Sequence, residues 1–129
     1  MEAWYFLKSE AKKRLNDVLE LPAIGIEQDW EVELADKRRW KEFLQLLVSS
    51  RFPANSEEEI ALAALLIGSI DDAISDEEFT ESDAASVAEY FNSKPELRAK
   101  VFSVWCTQRK PFNSEIITLW LLPHPPPPQ

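Results

Sequence analysis

One cysteine, one histidine and two glycines are all that 129 residues hold of the types that most often carry chemistry or tight turns. A single thiol, Cys106, excludes an internal disulfide and fits a reducing cytoplasm. The sole histidine, His124, lies in a proline-rich tail, so neither a Cys–His dyad nor a classical zinc site can be assembled. Two glycines are too few for a hairpin-rich all-β protein, whose turns need positive φ, or for a loop that cradles phosphates. No apolar stretch approaches the roughly 18 residues of a membrane span. Glu2, Lys8 and Glu10 interrupt the early run Ala3 to Leu7, which predicts no secretory signal.

The absence with the most consequence is of positive charge. No lysine or arginine occurs in residues 52–93, between Arg51 and Lys94, while 11 of the 23 acids do. That segment carries −11, and the remainder sets 12 acids against 14 bases, so one stretch supplies the whole net charge of −9. Such a chain repels nucleic acid and anionic membranes; its expected partner is a basic protein surface.

Apolar spacing is helical almost throughout. Trp4, Leu7, Ala11, Leu15, Val18 and Leu19 mark an amphipathic helix over about 3–20, ended by Pro22. Lys8, Lys12, Lys13 and Arg14 read as a solvated face, because Glu10, Asp17 and Glu20 are interspersed. Trp30, Val32 and Leu34 alternate with Glu31 and Glu33, which suggests a minor extended segment near 24–34. Asp36 is placed to cap a helix over about 37–50 with Trp40, Phe43, Leu44 and Leu47 facing inward.

Ser56-x-x-Glu59 is a capping box ahead of a helix over about 57–75. Ile60, Ala63, Ala64, Ile67, Ile70 and Ile74 share one face, and Leu62, Leu65 and Leu66 extend it most of the way round, the pattern of a helix buried on several sides. Thr80-x-x-Asp83 resembles another cap, before Ala84, Val87, Ala88 and Phe91. Ser93-x-x-Glu96 with Pro95 starts a helix to about 108, and Asn113 or Ser114 a last one through Leu122. The expected fold is all-α: a compact single-domain bundle of about six helices over residues 1–122, with a disordered proline-rich tail at 123–129.

Nothing here selects a catalytic site. Asp71, Asp72, Asp76, Glu77 and Glu78 lack the spacing and turn glycine of an EF-hand. Paired-carboxylate chemistry needs one acid set apart by its environment, and the sequence singles out none. No enzyme activity, cofactor or metal is expected. Surface acids kept only for solubility are normally mixed with bases, which relieves self-repulsion. The one-sided run therefore points to a binding surface made of Asp71, Asp72, Asp76, Glu77, Glu78, Glu81 and Asp83. Acids at the C-terminal end of a helix oppose its dipole, so Asp71 and Asp72 are not expected to serve helix stability.

The order of segments resembles a known family. Asp29-Trp30-Glu31 with Glu33, Ala35 and Asp36 precedes a helix containing Phe43; Ile67-Gly68-Ser69-Ile70-Asp71-Asp72 closes the next. Trp105 and Phe112 followed by Ile117-Thr118 complete a likeness spanning roughly residues 29–120. This is similar to the small helical immunity proteins of bacterial contact-dependent growth inhibition and related polymorphic toxin systems. The resemblance implies a cytoplasmic protein that binds a cognate toxin domain, often a basic nuclease, and blocks its active site or its access to substrate. A helical adaptor or regulatory subunit with a basic non-toxin partner is the alternative.

Overall fold

The computed structural model describes residues 9–23, 33–49 and 56–103. The chain is all-α. Five helices run through the described residues, and no strand occurs among them. They are α1 (Ser9–Val18), α2 (Trp40–Val48), α3 (Ser56–Ser75), α4 (Glu81–Asn92) and α5 (Pro95–Ser103). The segment around Trp30 and the helix expected before Leu122 lie outside the described residues, as does the proline-rich tail. Two compact units divide the chain, Met1–Ser69 and Ile70–Gln129, and the division falls inside α3.

In the first unit, α1 buries Ala11 and Leu15, and Leu19 just beyond it, along the expected stripe. Val18, its last residue, is 47 % exposed and so does not belong to that stripe. The helix ends before Pro22 by its own geometry. Glu20 takes φ 52°, Glu20 N–H bonds the carbonyl of Asp17 at 3.4 Å, and Leu21 N–H bonds that of Asn16 at 3.0 Å. These are the two bonds of a Schellman closure, in which the residue after the cap is left-handed. Leu21 and Leu15, the pair that flanks such a closure, are both buried.

The second helix starts later than the sequence suggests. Asp36 does not cap it: its Oδ1 accepts from the N–H of Arg38 at 2.9 Å and its carbonyl from the N–H of Arg39 at 3.0 Å. Its carboxylate is thereby spent on a turn two residues on, the local pattern open to Asp. The N–H of Asp36 donates to the buried hydroxyl of Ser69, 33 residues away, at 2.9 Å. Arg39 occupies the N-cap, with no side-chain cap bond, and α2 begins at Trp40. Trp40, Phe43 and Leu47 are buried, whereas Leu44 is only half-buried and Val48 is 62 % exposed.

Arg14 is not simply solvated. Its Nε lies 3.1 Å from Oε1 of Glu58, a buried carboxylate in the first turn of α3. A glutamate there also meets the positive end of the helix dipole. The helix is already formed at Ser56, where the described residues resume.

From Ala61 to Ile70 every residue of α3 is buried, including Leu62, Leu65, Leu66 and Ile67. Burying a leucine or isoleucine side chain contributes about 1.5–3 kcal/mol, and Leu62, Leu65, Leu66, Ile67 and Ile70, all fully buried, make this segment a large apolar contribution to the core. Gly68 and the alanines at 61, 63 and 64 are the small positions within it.

In the second unit, Thr80 caps α4 with a complete capping box: Asp83 N–H donates to Thr80 Oγ1 and Thr80 N–H to Asp83 Oδ2. Phe79 and Ala84, one before the cap and four into the helix, are both buried, the positions of a hydrophobic staple. Ala84, Val87, Tyr90 and Phe91 form the buried face, with the rings of Tyr90 and Phe91 edge to face at 5.4 Å. Ser93 turns back to donate its hydroxyl to the carbonyl of Tyr90 at 2.6 Å. It therefore closes α4, and α5, packed against it, starts at Pro95 with Leu97 and Arg98 buried.

Candidate partner-binding surface

The acids singled out in the sequence sit where α3 hands over to α4. Helix α3 ends at Ser75 with no basic residue in its last turn. Glu77 adopts φ 57°; its N–H bonds the carbonyl of Ile74 at 3.0 Å, and Glu78 N–H bonds that of Ala73 at 2.7 Å. This is a second Schellman closure, again with glutamate at the position that glycine usually fills. Phe79 is buried and Thr80 opens α4. The link from Asp76 to Phe79 is thus held by backbone bonds at one end, a buried ring in the middle and a capping box at the other. Short and tied down, it presents its side chains from a defined backbone.

The seven residues divide by what the fold does with them. Asp72, Asp76, Glu77, Glu78 and Glu81 are exposed. Asp71 is not: it is 7 % exposed. Its spacing had carried that signal, since position 71 follows Ile67 by four and precedes Ile74 by three, on the apolar row of α3. Asp83 is half-buried, and its Oδ2 accepts from both the N–H and the Oγ1 of Thr80, at 2.9 and 3.1 Å. The cap that the sequence suggested accounts for that carboxylate.

Helix dipoles split the exposed group once more. Glu81 lies in the first turn of α4, where negative charge is favourable by about 0.3–1 kcal/mol. Asp72, Asp76, Glu77 and Glu78 cluster at the C-terminal end of α3, where the sign is reversed. Glu77 bears a further cost, because a left-handed backbone is unfavourable by roughly 1–2 kcal/mol for a residue with a Cβ. These four are the exposed acids that the helix dipole disfavours.

An electrostatic patch of this kind can attract and orient a cationic surface. Among the described residues no three His, Cys, Asp or Glu side chains gather as a metal site would require. Nor is any helix among them long and apolar enough to cross a membrane. The fold and the patch together define an all-helical protein with an acidic corner. Compared with family models, with curated proteins and with solved structures, the chain finds no match.

Proposed function

We propose that this chain is an immunity protein, acting in the cytoplasm by binding and not by catalysis. It neutralises a cognate toxin domain, a nuclease, by laying acidic side chains over the basic surface that would hold the substrate. The observation that carries this reading is the corner itself. Five exposed acids fall within ten residues, Asp72 to Glu81, inside a segment without a single lysine or arginine. The sequence likeness noted around Asp29-Trp30-Glu31 and Ile67–Asp72 supports the same class.

Charge of one sign on a fixed backbone raises the rate of encounter with a basic partner, from a neutral 10⁵–10⁶ toward roughly 10⁸ M⁻¹s⁻¹ at low salt. The same charge keeps the inhibitor off nucleic acid, so it does not compete for its partner's substrate. Over a Debye length of about 8 Å at physiological salt, only acids close to the contact contribute.

The test is association kinetics with the toxin domain encoded beside the gene, using Asp76→Lys with Glu78→Lys. Both positions are exposed, so the fold should survive the changes. The expected result is association slowed by about tenfold or more, with a flatter dependence on ionic strength. An unchanged rate and salt slope would remove the corner as the interface. Tight binding to a basic protein with no toxic activity would instead assign the adaptor role.

A further inference from the structure

We draw no further inference here: the strongest candidate, the acidic corner between α3 and α4 (Asp72, Asp76, Glu77, Glu78 and Glu81), belongs to the surface already described, and nothing independent of the cluster points to another ligand.

Discussion

Arg39 reaches back 20 residues to donate from Nη2 to the carbonyl of Leu19 at 2.7 Å. The same guanidinium grips both carboxylate oxygens of Glu42, at 2.8 and 2.7 Å, and lies 5.3 Å from the ring centroid of Phe43. Leu19 follows the last residue of α1, so its carbonyl is one that the helix itself leaves unsatisfied. One side chain thus closes α1 and braces the first turn of α2.

Replacing Arg39 with Met is expected to cost about 1–3 kcal/mol, most of it from the Leu19 carbonyl, because Glu42 is half-exposed and its ion pair is screened. A urea titration should show a lower midpoint at constant slope. Arg39→Lys should recover only part of the loss, since an ammonium cannot fork onto Glu42 while reaching Leu19. Full recovery by lysine would show that charge alone is what matters.

The same pair sets a pH dependence. The hydrogen bond from Arg39, aided by its charge and opposed by partial burial, holds Glu42 below the ordinary carboxylate range. A lowered folded pKa contributes stability that is fully present above the unfolded value and disappears as pH falls through the folded one. With half of the carboxylate in water, that share is below about 1 kcal/mol. Arg39 is raised, and a raised cation contributes below its unfolded value, so it stays charged and adds no slope at accessible pH. Glu42→Gln should therefore flatten the stability profile below about pH 4, as followed by denaturant midpoint at each pH. Superimposable acid limbs for the two proteins would contradict this.

The capping box of α4 offers a cleaner local test. Thr80→Ala should destabilise by about 1 kcal/mol, and Thr80→Ser should restore nearly all of it, because the acceptor oxygen is retained. A double-mutant cycle with Asp83→Ala should give a coupling of about 0.5 kcal/mol or more, since each side chain bonds the other's backbone N–H. Strict additivity would mean that the two bonds form independently.

Glu20 and Glu77 are the left-handed non-glycine residues among those described. Glycine at either site relieves a penalty of roughly 1–2 kcal/mol and gives back about half of it as chain entropy in the unfolded state. Glu20→Gly and Glu77→Gly should each gain about 0.5–1 kcal/mol, read as a melting temperature higher by roughly 2–6 °C. They should differ in binding. Glu77→Gly removes a charge from the acidic corner and is expected to slow association with the partner while raising stability; Glu20→Gly should leave association unchanged. A Glu77→Gly protein that is stabilised and binds at the original rate would place the contact elsewhere.

Much of this architecture was written in local chemistry. Period-3.6 apolar spacing, the Thr80-x-x-Asp83 box and Pro95 at a first helical position act within one or two turns, so α4, the start of α5 and the buried length of α3 could be read directly. The base-free run from Phe52 to Ser93 is likewise a property of the chain alone. Tertiary structure decided what depends on residues far apart. Asp36 gives its N–H to Ser69, 33 residues on, and α2 begins only at Trp40. Arg39 finds the end of α1. Packing covers the arc of α3 that holds Asp71 and leaves Asp72, about 100° further round the helix, outside. An acidic surface was foreseeable from composition; that Asp71 and Asp83 leave it was readable from the apolar row and the capping box, and that the other five stay exposed was not.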